Sequence, residues 1–212
     1  MTRLALRNLF QSRARLAISV GGVALALMLI LALDAIVGWI EKRVTAYIDA
    51  SGADIWVSQE GVRNMHMASS SFSASLATGV ARVEGVDSVT PIHYLTNVVE
   101  AGEERTIAYV IGLPDQARAG LPWIVQSGRA NPGRGGAVID QGIAEAAGIG
   151  LGDPVEILGE EFEVVGLSGG TASLTNSIAF ISSRDFARLL ASPRMASFLL
   201  VQLKPGAASQ EV

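Results

Sequence analysis

Few residues of this 212-residue chain have the types and spacing that a cofactor site requires. Gly148, Gly150 and Gly152 form a Gly-x-Gly-x-Gly string. A dinucleotide site needs such glycines after a strand and at the start of a helix. Here they follow a predicted helix and precede a predicted strand, which indicates a helix end and a turn. We therefore predict no cofactor site.

The residues that could hold a metal or act as a nucleophile are equally sparse. Met65–Met67 combines two thioethers with an imidazole, ligands that suit copper, but no second cluster completes a site. The absence of cysteine excludes disulfides, thiolate metal sites and cysteine nucleophiles. Asp140 could be a catalytic carboxylate, although the N-cap of a following helix is the favoured interpretation. We predict no metal site and no catalytic residue.

The chain also lacks a phosphate-binding loop of its own. Its two lysines are Lys42 and Lys204, and neither lies in a Gly-x-x-x-x-Gly-Lys-Ser/Thr string. Since it also has no predicted catalytic residue, the chain is not expected to be an enzyme.

A long apolar stretch at 16–40 is the main structural signal. From Leu16 to Leu33 there are 18 residues without a charge, close to the roughly 20 that a membrane-spanning helix needs. Asp34 follows, roughly 27 Å along a helix from Leu16, and Trp39 fits an interfacial aromatic. A cleaved secretory signal is the alternative, but its apolar core is only about 7–15 residues long.

The charged flanks predict the orientation of this span. Four arginines and no acidic residue precede it: Arg3, Arg7, Arg13 and Arg15. The positive-inside rule then places the N-terminus in the cytoplasm and residues 44–212 outside the plasma (inner) membrane.

The outer part has the opposite charge balance. Residues 44–212 carry 18 acidic and 10 basic groups, which argues against binding to nucleic acid. Residues 1–15 are predicted to form a basic amphipathic arm that is suited to anionic membrane lipid. The alternative is a basic flank that only sets the orientation of the span. Within the span, Gly21, Gly22 and Ala26 form a small-residue face, a candidate contact for another helix.

We expect an α+β fold: one N-terminal transmembrane helix, then a mixed, mostly antiparallel extracytoplasmic domain. The domain boundaries are predicted as an arm (1–15), a span (16–40), a helical extension (41–52) and the outer domain (53–212).

Patterns within the outer domain predict its elements. Residues 86–99 and 105–111 are predicted strands, 113–136 is a connection, and 141–147 is a helix that ends at Gly148. Gly159-Glu160 suits a type II′ hairpin turn. Ser182 and Asp185 resemble a capping box.

Several stretches resemble permease subunits of the MacB/FtsX class of ABC transporters. The opening TRLALRNLFQSRARLAISVGGVALALMLIL is similar to the start of such subunits, and GADIWVSQEGVRNM to the segment that enters their outer domain. The stretch SGRANPGRGGAVIDQGIAEAAGIGLGDPVEILGEEFEVVGLSGG matches that domain's pattern of turn, strand, small helix and hairpin. FLLVQLKPGA resembles the strand before its second half. The resemblance covers essentially the whole chain.

This resemblance implies a mode of action. Such permeases have four spans and pair as dimers with a cytoplasmic ABC ATPase subunit. Movement of their outer domain drives export or extraction of lipid, lipoprotein, peptide or drug, in some cases with a periplasmic adaptor. This chain has one predicted span, so it is expected to be an N-terminal fragment whose outer domain is incomplete at the C-terminus.

Two other interpretations stay open at this point. One is a single-pass, membrane-anchored domain that binds a ligand or partner without transport activity. The other is a secreted hydrolase with a signal peptide, for which a mature N-terminus beyond residue 35 would be expected.

Overall fold

The computed structural model describes residues 13–62, 70–171, 177–192 and 194–207; at 13 and 39–45 it describes the backbone alone. The chain divides into two units, Met1–Val44 and Thr45–Val212. The helices in the described residues are α1 (Arg13–Ala50), α2 (Leu76–Val80), α3 (Gln141–Ala147) and α4 (Ser183–Leu189). The strands are β1 (Ile55–Val57), β2 (Phe72–Ser73), β3 (Val86–Ala101), β4 (Glu104–Leu113), β5 (Val125–Gly128), β6 (Gly136–Asp140), β7 (Pro154–Ile157), β8 (Glu160–Ser168), β9 (Ser177–Ser182), β10 (Met195–Ala196) and β11 (Phe198–Leu203).

Helix α1 contains the apolar stretch. Its 25-residue segment Ala14–Gly38 is long and apolar enough to cross a membrane. At about 1.5 Å per residue a helix of this length extends roughly 37 Å, whereas the hydrocarbon of a bilayer is about 30 Å thick. Large side chains all along the segment are exposed, including Ile18, Leu25 and Leu31. The segment therefore has an apolar surface that water would not solvate well.

Six strands of the second unit close into a ring. The ladder runs β3–β4–β9–β6–β8, and β7 joins β8 back to β3. The closing ladder is short and pairs Val99 with Ile157 and Glu100 with Glu156. Because a closed sheet leaves fewer strand edges unpaired, this arrangement limits edge-to-edge association. β11 and β1 extend the sheet from β3, and β5 extends it from β8.

The sheet is mixed, as the sequence predicts. The pairs β4–β9 and β6–β8 are parallel and the others are antiparallel. With one apolar N-terminal helix ahead of it, this α+β domain confirms the predicted fold class.

All six strands of the ring contribute alternate apolar side chains to one core. Its largest members include Ile139, Ile157, Phe162 and Ile181. Helices α3 and α4 add further side chains to it, among them Phe186. Alternation along β8 buries Phe162 and Val164 and exposes Glu161 and Glu163, which is the pattern of a half-buried strand.

A second core lies on the other face of the sheet. It contains Ile92, Ile111, Val138, Phe180 and Leu200. On β3, β4, β6 and β9 these residues alternate with members of the first core, so that part of the sheet is apolar on both faces. Side chains outside the sheet must cover the second core, and one of them comes from the end of α1, as described below.

Local signals correctly predicted both ends of α3 and the start of α4. Asp140 caps α3, since its carboxylate accepts a hydrogen bond from the backbone N–H of Gly142 at 2.8 Å, as an N-cap residue does. Gly148 ends the same helix with a φ of 67°, the left-handed conformation that favours glycine. Ser182 caps α4 through the N–H of Asp185 at 3.0 Å.

The predicted hairpin turn is wrong in position and type. Ile157 pairs with Glu160, so the two loop residues are Leu158 and Gly159. Their φ angles are 56° and 78°. Positive φ at both positions identifies a type I′ turn, whose twist matches the flanking strands. The predicted connection 113–136 likewise contains a strand, β5.

Candidate functional site

The residues predicted to set topology lie only partly in the described chain. Arg3 and Arg7 lie outside the described residues, and Arg13 is described by its backbone alone. Arg15 is exposed on the first turn of α1. The orientation that these four arginines predict stays a prediction.

The predicted helix-contact face is open. A Cβ atom placed on Gly21 or Gly22 would meet no atom within 4 Å, and Ala26 is exposed. A second helix could therefore approach the backbone here without steric hindrance from this chain. Whether one does so stays a prediction.

The glycine string at 148–152 forms a turn. The N–H of Gly150 donates to a carboxylate oxygen of Asp153 at 2.7 Å, and Gly152 has a φ of 89°. The string follows α3 and precedes β7. It therefore lies at the C-terminal end of a helix, where a phosphate would meet carbonyl oxygens.

Sequence reasoning missed the Gly-x-Ser-x-Gly string that contains Ser168. Gly166–Gly170 has the Gly-x-Ser-x-Gly spacing of a nucleophile elbow, in which the serine is exposed between a strand and a helix. Here Ser168 is fully buried at the end of β8, and a turn follows it. Its hydroxyl donates to the carbonyl of Ile139 at 3.2 Å. A serine buried in this way is not exposed as the nucleophile of such an elbow is.

The buried carboxylate of Asp140 belongs to the same polar network. Thr171 donates a short hydrogen bond to Asp140, and the hydroxyls of Thr171 and Ser168 lie 2.8 Å apart. Buried polar groups need such partners, so the network holds the end of β8 against the start of α3. Met65–Met67 lies outside the described residues, and within the described ones no group of three His, Cys, Asp or Glu side chains could hold a metal.

The last turn of α1 is the candidate functional feature of this structure. Tyr47 lies in its last turn and is only 3% exposed. Its ring meets Trp56 edge-on at 5.7 Å and lies 6.3 Å and 6.2 Å from the rings of Trp123 and Phe180. Aromatic pairs at such separations each add about 0.5–1.5 kcal/mol beyond their buried area. We call these four residues the aromatic anchor.

Gly120 completes the anchor through two hydrogen bonds. The phenol of Tyr47 donates to the carbonyl oxygen of Gly120 at 2.9 Å, and the N–H of Gly120 donates to the carbonyl oxygen of Ser51 at 2.7 Å. The second bond satisfies a carbonyl at the C-terminal end of α1 that the helix itself leaves unpaired. Burial raises the pKa of Tyr47 well above its usual range, so the phenol stays a neutral donor.

Gly120 is required at this position for two reasons. Its φ is 84°, and a Cβ atom would lie 2.7 Å from a methyl group of Leu200 and 3.1 Å from the hydroxyl of Tyr47. Only glycine adopts such a φ freely and leaves this space open. Ser51 adds another link, because its hydroxyl accepts from the indole N–H of Trp56 at 3.2 Å. The end of α1 is thereby fixed in the core of the second unit.

A sequence model of a known family matches this chain, and solved structures of other proteins share its fold. The sequence model of the MacB-like periplasmic core domain matches residues 16–212. The chain belongs to this family. The domain is that of ABC transporter permeases, so the family places the chain in an ABC transporter assembly with an ATPase subunit. Together with the apolar N-terminal helix, it indicates an extracytoplasmic domain anchored in a membrane.

Two crystal structures share the fold. The periplasmic region of MacB from Actinobacillus actinomycetemcomitans superposes with a TM-score of 0.57 at 18% identity, covering 77% of this chain and 80% of that one. The extracellular domain of the noncanonic ABC-type transporter YknZ from Gram-positive bacteria gives a TM-score of 0.51 at 21% identity, covering 64% and 75%. No curated protein sequence matches the chain significantly.

Proposed function

We propose that this chain is the permease subunit of an ABC transporter in which helix α1 transmits movement between the membrane and the outer domain. The aromatic anchor carries the proposal. One helix, Arg13–Ala50, contains both a segment able to cross a bilayer and a buried tyrosine in the core of the second unit. A displacement of that helix would reach the sheet directly, because close-packed cores transmit strain.

The energy source in this proposal is a cytoplasmic ABC ATPase subunit. The chain has no phosphate-binding loop, so it does not hydrolyse ATP by that mechanism. A second permease subunit would pair through the face formed by Gly21, Gly22 and Ala26. The N-terminus would be cytoplasmic, with the basic arm at the anionic inner leaflet and residues 44–212 outside.

The proposal also covers the class of molecule that the transporter moves. Resemblance to the MacB/FtsX class points to export or extraction of a lipid, lipoprotein, peptide or drug, with or without a periplasmic adaptor. A single-pass binding domain without transport is the alternative function, and it predicts no response of the outer domain to nucleotide.

The test disrupts helix α1 with an insertion that leaves every residue of the sheet unchanged. Three residues, Gly-Ser-Gly, are inserted between Arg43 and Val44, one residue before the boundary of the two units. The same three residues inserted after Gly159, in the exposed β7–β8 turn, serve as the matched control. Because the chain has no native cysteine, a spin label at Glu84→Cys reports the distance between the outer domains of two subunits.

In the purified assembly with its ATPase, we expect trapping with ATP and vanadate to change the distance distribution. The insertion after Arg43 should abolish the change while ATP hydrolysis continues, and the insertion after Gly159 should preserve it. An unchanged response with the first insertion would refute transmission through α1. No response in the unmodified assembly would favour the binding-domain alternative.

A further inference from the structure

A cavity beside helix α4 has no role in the proposal above. Its volume is about 540 Å³, which suits a small molecule, since small-molecule sites occupy roughly 300–1,000 Å³. Its apolar lining includes Pro91 from β3, Ala187 from α4 and Met195 from β10. These side chains come from three separate elements of the second unit, so the cavity is a product of the tertiary fold.

The charged groups of this cavity all have one sign. Arg184 and Arg188 line it, and no acidic side chain is among the described residues that do. The two arginines are four residues apart on α4, so they share a face of the helix. Their side chains are 75% and 59% exposed, which leaves them accessible to a ligand.

The existing ion pairs of these arginines leave donors free for a ligand. Arg184 contacts Asp115 at 3.2 Å, and Arg188 contacts Asp185 at 3.5 Å. A guanidinium group carries five N–H donors in a planar fork, and each of these contacts involves only one terminal nitrogen. Each arginine therefore retains donors that can bind a carboxylate or phosphate.

The charge of the side chains that line this cavity is opposite to the net charge of the domain. Residues 45–212 carry 18 acidic and 10 basic groups, so the domain as a whole repels anions. A cavity lined by cations alone is the part of such a surface that attracts them. The guanidinium donors that Asp115 and Asp185 leave unused therefore favour an anion over a cation as the ligand.

His93 contributes to the wall of the cavity without adding charge. Its ring stacks on Phe186 with centroids 4.9 Å apart, and both ring nitrogens are buried from solvent. Burial lowers the pKa of His93, and the backbone of Met195 and Gly112 opposes this only in part. The imidazole is therefore neutral at pH 7, so the positive charge lies with the two exposed arginines.

We propose that this cavity binds a small anionic amphiphile: a carboxylate or phosphate group held by Arg184 and Arg188, with a short aliphatic chain against Pro91, Ala187 and Met195. The inference is independent of transport, because it rests on the second unit alone. The ligand could be a soluble acid or an anionic lipid, which share this chemistry.

The methyl group of Met195 provides a direct reporter. We would label the methionine methyls with ¹³C in the full chain, held in phosphatidylcholine nanodiscs, and titrate with octanoate. We expect a saturable shift of the Met195 signal, assigned with Met195→Leu, and no saturable shift of Met28 in α1. Octyl phosphate should act similarly, whereas octyltrimethylammonium and acetate should not.

Variants separate specific binding from partition into the disc. Arg184→Gln with Arg188→Gln should raise the Kd for octanoate about tenfold or more, because it removes charge-assisted hydrogen bonds. Arg118→Gln is the matched control: it is also exposed and paired, with Asp87 at 3.1 Å, but it does not line the cavity. Equal binding of the cationic amphiphile, equal effects of the two sets of variants, or no saturable shift of Met195 would overturn the proposal.

A last comparison distinguishes the two sources of ligand. Discs that contain phosphatidylglycerol should shift Met195 without added octanoate if the ligand is a membrane lipid. If the shift appears only with soluble octanoate, the ligand is a free acid. Either result supports the site.

Discussion

The phenol of Tyr47 donates its hydrogen bond to the carbonyl oxygen of Gly120, 2.9 Å away and 73 residues along the chain. This bond joins the last turn of α1 to the loop between β4 and β5, and Leu200 lies close to Gly120 as well. Three distant parts of the chain thus meet at a single glycine.

Substitutions at this contact should weaken the second unit in graded steps. Tyr47→Phe keeps the ring but leaves the buried carbonyl of Gly120 without its partner, which costs about 1–3 kcal/mol. Tyr47→Ala also removes the ring and should cost about 3–5 kcal/mol. Chemical unfolding followed by tryptophan fluorescence would measure both, since Trp56 and Trp123 lie in the anchor.

Gly120→Ala should be as disruptive as Tyr47→Phe or more so, because its Cβ atom would clash with Leu200 and its φ is 84°. A positive φ of this kind strains any residue other than glycine. Gly102→Ala is a suitable control, since it also has a positive φ but has open space around it. Equal costs for the two glycines would show that the close contact at Gly120 contributes nothing.

The stability of the second unit should fall in mild acid because of His93. Its folded-state pKa lies below its ordinary value of 6.5, so the unfolded chain binds the proton more readily. The contribution of His93 is therefore fully present above about pH 6.5 and is lost progressively as the pH falls below it. Thermal unfolding between about pH 5 and pH 8 would reveal this slope.

A substitution of His93 tests whether this residue causes the slope. His93→Phe should flatten the pH dependence while it keeps an aromatic ring against Phe186. His66→Gln, at the other histidine, is the control, and a slope that survives His93→Phe would contradict the assignment.

A row of like charges should make one surface substitution stabilising. Glu156 lies directly opposite Glu100 on β3 and Glu161 on β8. Arg105 pairs with Glu100 at 2.7 Å and attracts Glu156 more weakly. Like charges in directly opposed positions destabilise a sheet. Glu156→Gln should therefore raise the free energy of unfolding by about 0.2–1 kcal/mol.

Salt provides an internal check on this effect. The gain from Glu156→Gln should shrink at about 1 M salt, where the Debye length is only about 3 Å. Glu84→Gln, at an exposed position outside the strands, should have little effect at either ionic strength. A gain independent of salt would indicate a cause other than repulsion.

The orientation of the chain can be measured in intact cells. The absence of cysteine permits single-cysteine variants, Ser12→Cys before the span and Ser58→Cys after it. Because the arginines precede the span, an impermeant thiol reagent should label Ser58→Cys and should not label Ser12→Cys. The reverse pattern would overturn the proposed topology.

The sequence by itself determined the features that short windows encode. The apolar run predicts a helix able to span a membrane, since length and composition are sufficient for that. Asp140, Gly148 and Ser182 predict helix boundaries, because capping depends on neighbouring backbone groups. Alternation at Phe162 and Val164 predicts a half-buried strand for the same local reason.

Only the tertiary structure decided how these elements close and connect. Val99 meets Ile157 to complete the ring, and Tyr47 meets Gly120, through pairings that no local window contains. Leu158 takes a positive φ because the twist of the paired strands favours a type I′ turn, which overrides the preference of leucine for negative φ. Long-range packing decides the ring closure and the contact at Gly120, because the paired residues lie far apart along the chain.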